Sequence, residues 1–244
     1  MAKKTKDTEI GPPVVPEGEV TKYRLASKDT GETLGAVTQV VNKITEEGEQ
    51  YYKVDITTEC KEGHIVDETT TFKITEMLTP ISRRMVITNT EGEVVVNSTM
   101  ACEELELPCA PPIVAGFCLR GLAFAPKLKV DFHLITSEGR FFSIDGSVSS
   151  KREKLKVEAG DFECYKVELT PDMGAYMEDL PMKVPLPPGF GMLARQFTNS
   201  VCYWFSVDKP NHMVKYEGFL MNSLFSAQVV QELVSCESPA KGHC

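Results

Sequence analysis

Residues 156–169 read KVEAGDFECYKVEL, two alternating runs around a tight break. In the second run Tyr165, Val167 and Leu169 share one face, and Cys164, Lys166 and Glu168 share the other. That period of two is the pattern of a strand with one buried face. Gly160 at the break supplies the backbone freedom a tight turn needs. The stretch is a β-hairpin, and the rest of the chain repeats its grammar.

From Val20 onward, short runs rich in Val, Ile, Thr, Tyr and Phe alternate with polar turns containing glycine, such as KDTGET, TEEGEQ, CKEGHI, NTEGEV and TSEGRF. About ten such runs at even spacing predict an antiparallel barrel or sandwich. In QYYKVDITTE, Tyr52, Val54 and Ile56 lie on one face, with Lys53 and Asp55 opposite. VCYWFSV carries bulk on both faces, Val201, Tyr203 and Phe205 against Cys202 and Trp204, so it is covered on both sides or lines a cavity. SAQVVQELV, 226–234, reads as a closing strand. The fold class expected is all-β: a single curved antiparallel sheet forming an open or half barrel. A flexible tail is expected over 1–19, the β-domain over 20–234, and a second tail over 235–244.

Two segments break the pattern. Residues 107–126, LPCAPPIVAGFCLRGLAFAP, and 181–197, PMKVPLPPGFGMLARQF, are apolar yet rich in proline. Proline cannot donate to a sheet ladder, and long loops without regular structure are usually functional or disordered. Disorder requires low hydrophobicity, which these lack. Both read as apolar flaps, the second as a lid. A spanning helix needs about 20 uninterrupted apolar residues, which Arg120 and the prolines deny to 107–126, so no membrane span is expected.

The net charge of −9 gives no support for a nucleic-acid surface, which needs clustered Lys and Arg. The N-terminus has no apolar core segment of a secretory signal. A cytoplasmic location follows, with the eight cysteines reduced, since none forms a CxxC pair.

Several stretches carry a resemblance. YRLASKDTGETLGAVTQVV, EMLTPISRRMVITNTEGEVVV, KLKVEAGDFECYKVEL and CYWFSVDKPNHMVKYEG occur in this order. They resemble a bacterial group called domain of unknown function 3108, marked by a Leu-Pro-Ser turn, a V-AG-F-C-K hairpin and a late YWFS-D-P strand pair. The likeness spans roughly 20–234. It implies a fold similar to the open β-barrels of periplasmic lipoprotein carriers, in which a curved sheet encloses an apolar cavity. It supplies no catalytic residues.

Motifs for nucleotide, flavin or hydrolase chemistry are missing: no GxSxG elbow, phosphate loop or dinucleotide glycine pattern occurs. Cys60 and His64 in CKEGH have ligand-like spacing, but two ligands do not make a site, so no metal and no cofactor is expected. The polar residues with most chemical promise are His133 in VDFHLIT and Asp145 in FFSIDGS, nearly symmetric about a glycine-containing turn. Facing each other inside an apolar cavity, such a pair would serve acid–base work. Phe132, Leu134, Phe142 and Ile144 have the opposite parity, however, so the bulkier face is the one without His133. Tyr203 and Glu217 are the next catalytic candidates. Candidate ligand contacts are Phe117, Leu122, Phe124, Tyr165, Leu186, Phe190, Met192, Trp204 and Tyr216.

The expected function is binding of a small hydrophobic molecule, lipid or isoprenoid-like, inside the barrel. Two alternatives stand beside it: a cofactor-independent lyase, isomerase or hydratase acting on such a molecule, and an interaction module whose flaps bind another protein, a second copy in a homodimer included.

Overall fold

The computed structural model describes residues 10–76, 78–102, 109–110, 114–135, 141–171, 200–219 and 228–238. The first six strands form a meander: β1 (Glu19–Ser27), β2 (Thr33–Glu46), β3 (Glu49–Cys60), β4 (Ile65–Ile74), β5 (Leu78–Thr88) and β6 (Val94–Ala101). Then come the short β7 (Cys109–Ala110), helix α1 (Ala115–Leu119), β8 (Lys129–Ile135), β9 (Phe141–Val148), β10 (Glu153–Val157) and β11 (Gly160–Pro171). The chain ends with β12 (Val201–Ser206), β13 (Met213–Phe219) and β14 (Gln228–Glu237).

All fourteen strands belong to one sheet, in the order β6-β5-β4-β3-β2-β1-β14-β13-β12-β11-β9-β8-β7, with β10 paired to β11 off this path. Pairing is antiparallel except between β7 and β8. The fold is therefore all-β, one large antiparallel sheet that does not close into a barrel. The hairpin read from 156–169 is present, with Val157 opposite Gly160 and Glu153 opposite Cys164. The first and last strands, β1 and β14, pair in the middle of the sheet. Among the described residues its edges, β6 and β7, therefore come from the middle of the chain, and β7 returns close to β5.

Alternation decides what lies inside. Along β3, Tyr52, Val54, Ile56 and Thr58 are buried in turn. The partner strands supply Val37 and Val41 from β2 and Val66 and Phe72 from β4. One continuous core joins Val37, Val41, Tyr52, Val54, Ile56 and Phe72 to Phe132, Ile144, Val167, Leu169, Tyr203 and Phe205 from the other half of the sheet. At about 25 cal/mol per Å² of apolar surface removed from water, such a shared core is the main stabilising contribution.

The middle of that core is supplied by 114–124, part of the first expected flap. Every residue of α1 is buried. Phe117 meets Tyr52 edge-on at 5.5 Å and Phe72 at 5.9 Å. Phe124 stacks on Tyr165 at 5.0 Å. The segment is a plug rather than a flap, because its apolar side chains belong to the core. The second flap, 181–197, lies outside the described residues, as do Leu186, Phe190 and Met192.

The tail expected over 1–19 is packed from Ile10 onward. Ile10 and Val15 are buried, Ile10 bridges to Leu122, and the Tyr52 hydroxyl donates to the Pro13 carbonyl at 2.9 Å. The backbones touch here: a Cβ on Gly121 would lie 1.7 Å from the Gly11 carbonyl oxygen, so only glycine fits. β14 likewise runs to Glu237, past the expected boundary at 234.

Candidate functional site

At the end of the sheet where β1 begins and β14 finishes, four polar side chains are buried together. Glu19 opens β1 and is fully buried, and Arg120, one residue past α1, is 4% exposed. His212 comes from the turn between β12 and β13, and Cys236 from β14. Arg120 forks onto Glu19, with Nη1 donating to Oε1 at 2.5 Å and Nη2 to Oε2 at 3.1 Å. His212 Nδ1 lies 3.6 Å from Glu19 Oε2 and 3.5 Å from Cys236 Sγ.

The turn that delivers His212 is held by local bonds. The Asn211 amide N–H donates to the Asp208 carbonyl, and Asn211 Nδ2 donates to the Ser206 carbonyl at 2.8 Å. Asn211 itself sits at φ 58, a left-handed conformation that Asn tolerates better than most residues. Burial, followed by the nearby Arg120 charge, pushes His212 down to about 4, against the opposing pull of Glu19. The imidazole is neutral at neutral pH. Burial pushes the neighbouring Tyr23 hydroxyl up to about 12.

A second charged pair sits on the concave wall. Arg83 on β5 forks onto Glu68 on β4, at 3.0 Å from Nε to Oε1 and 2.7 Å from Nη2 to Oε2, with both residues under 5% exposed. Burial raises the Glu68 carboxyl, partly offset by Arg83. Thr70, opposite Arg83 in the ladder, has a buried hydroxyl with no hydrogen-bond partner among the described residues. An unsatisfied buried hydroxyl costs about 1–3 kcal/mol.

The residues chosen from the sequence are not brought together as one site. In the ladder Asp131 is opposite Asp145 and His133 is opposite Ser143, so the register is offset by two from the 133–145 pairing. The completely buried pair Phe132 and Ile144 lie opposite each other, and matching these bulky side chains sets the register. Asp145 is exposed and His133 half-buried, on the face away from the core. Tyr203 and Tyr216 do meet, opposite each other at 5.0 Å between rings. Burial, then Tyr216, raises the Tyr203 hydroxyl well above its ordinary value, so it holds its proton. Glu217 pairs outside with Lys28 at 3.2 Å and Lys215 at 2.7 Å.

Phe117 and Leu122 belong to the plug, and Phe124 and Tyr165 form its upper stack. Trp204 faces the other side of the sheet. It packs with Cys164 and Val214, donates from Nε1 to Glu153 at 2.8 Å, and lies under the ammonium groups of Lys166 and Lys215. The strand VCYWFSV is thus covered on both faces, one of the two options its sequence allowed.

Sequence reading missed Glu19, Cys236 and His212, the first two because they lay in or beside expected tails. Arg120 carried a signal: a lone charge inside an apolar run, which demands a buried partner.

No family model matches the chain, and no curated protein matches it. The resemblance to domain of unknown function 3108 therefore stands on its short motifs alone. Three solved structures are similar in outline. One is a β-barrel-like protein of domain of unknown function 1849 from Brucella abortus, at 12% identity and TM-score 0.48, covering 91% of this chain and 98% of that one. Another, from Bacteroides fragilis, is described as a "putative exported protein with YmcC-like fold", at 10% identity and TM-score 0.41, covering 95% and 100%. The third is described as a "putative lipoprotein" from Parabacteroides distasonis, at 13% identity and TM-score 0.37, covering 95% and 100%. The fold assignment rests on the strand order, not on these likenesses. Among the described residues no helix is long and apolar enough to cross a membrane.

Proposed function

We propose that the protein binds a small, mainly apolar molecule against the concave face of its sheet. The observation that carries this reading is the make-up of that wall. Among the buried apolar residues Val54 and Ile56 lie, opposite them in the ladder, the Thr70 hydroxyl, which has no partner among the described residues, and Glu68 of the Arg83–Glu68 pair. An apolar surface with a few placed polar groups is the usual composition of a ligand site. The same reading keeps the kinship with domain of unknown function 3108, supported by the motif order quoted above. The acid–base enzyme gains no observation in its favour, since His133 and Asp145 lie on the opposite face. Residues 114–120 are buried, so that part of the expected flap offers no dimer surface.

Thr70→Val tests the reading, because it removes the orphan hydroxyl without changing the volume much. The variant is expected to be more stable than the wild type by about 1 kcal/mol in urea denaturation. It is also expected to bind a fluorescent anthroyloxy fatty acid more weakly. No probe binding by the wild type, together with no apolar molecule retained in native mass spectrometry, would defeat the proposal.

A further inference from the structure

The geometry points to a transition-metal site, of zinc type, formed by Glu19, His212 and Cys236. These residues are far apart in sequence and come from β1, the β12–β13 turn and β14. Their donor atoms nevertheless lie within 4.8 Å of one another, and all three residues are buried. Two of the three separations are those of a coordination sphere, with His212 as the shared donor. Bonds of about 2.0–2.3 Å at tetrahedral angles place ligand atoms about 3.3–3.6 Å apart. The Nδ1 to Sγ distance is 3.5 Å and the Nδ1 to Oε2 distance 3.6 Å.

The donor set is chemically selective. Thiolate, imidazole and carboxylate together suit zinc and exclude magnesium and calcium, which take oxygen ligands. Arg120 occupies both Glu19 oxygens, yet a carboxylate has about four lone-pair sites. Arg120 then acts as the outer partner that orients a ligating carboxylate.

A separate observation points the same way. Asn211 is 2% exposed, and its Oδ1 has no hydrogen-bond partner among the described residues. This orphan acceptor, on the residue beside His212, needs a donor such as a water. Three protein ligands leave the fourth zinc position open for such a water. Loading is a simple exchange: the Cys236 thiol proton leaves to solvent, the sulfur–metal bond forms, and nothing is oxidised. The released proton offsets part of the added charge beside Arg120.

The test is titration of the reduced full chain with cobalt(II), the spectroscopic stand-in for zinc. The expected result is one equivalent bound with a thiolate-to-cobalt charge-transfer band. Cys236→Ser should abolish the band, and Cys202→Ser should leave it unchanged. His212→Gln should weaken binding by more than the about 10- to 100-fold that loss of an outer partner costs. Zinc-edge X-ray absorption on the unmodified protein gives a readout free of folding effects, with one sulfur neighbour expected at about 2.3 Å. No cobalt band in the folded wild type, a band that survives Cys236→Ser, or a zinc spectrum with no sulfur or with several would each overturn the assignment.

Discussion

Two buried ion pairs of the same chemistry do different work in this molecule. Glu68 and Arg83 meet across adjacent strands, 15 residues apart. Glu19 and Arg120 meet across 101 residues and fasten the plug to the first strand. The near pair lies within a regular meander whose pairing is already set by alternation and short turns. The distant pair, by contrast, joins elements that no ladder connects. A buried ion pair is weak evidence of net stability when apolar residues could replace it, yet removing one partner alone leaves an uncompensated buried charge. The difference between the two sites is therefore topological.

The largest effect is expected at the distant pair. Arg120→Ala should cost about 3–5 kcal/mol by leaving Glu19 buried and unpaired, and hydrogen exchange should show early opening of 114–122. Equal loss with no change in exchange over the plug would remove the distinction between the pairs.

Acidification sharpens the comparison, because His212 faces only the distant pair. Unfolded histidine takes up its proton near pH 6.5, whereas folded His212, beside Arg120, Glu19 and Cys236, does so near 4. A depressed folded value means its contribution is complete above 6.5 and is lost as pH falls toward 4. That loss is worth about 3 kcal/mol in full. Denaturation midpoints across this interval should fall in the wild type and fall less in His212→Gln. Parallel curves would show that His212 does not titrate as described.

The smallest change in stability is expected at the near pair. The double replacement Glu68→Leu with Arg83→Met should leave stability within about 1 kcal/mol of the wild type, or raise it, while fatty-acid probe binding falls. A large loss measured by urea denaturation would mean that the near pair, like the distant one, holds the fold.

Much of the sheet was legible in the sequence. Alternation in KVEAGDFECYKVEL, QYYKVDITTE and VCYWFSV marks strands and their buried faces directly, since side chains on a strand point alternately to its two sides. The register of β8 and β9 was legible only to within two residues. A shift of two keeps every side chain on its own face, so the pattern cannot distinguish the alternatives, and the packing of Phe132 on Ile144 had to choose. The plug was read as a flap because an apolar, proline-rich segment fits either place.

What the sequence determined by itself was local: an all-β chain, the hairpins with their glycine turns, which strand faces are apolar, and the presence of a charge in 107–126 that needed a partner. Which partner it found was decided by the tertiary structure. Glu19, Arg120, His212 and Cys236 occupy four unrelated stretches, and no period in the sequence links them. They converge because β1 pairs with β14 at the centre of the sheet, because 114–124 is apolar enough to fill the concave face, and because an arginine carried inside with it must be neutralised where water is excluded.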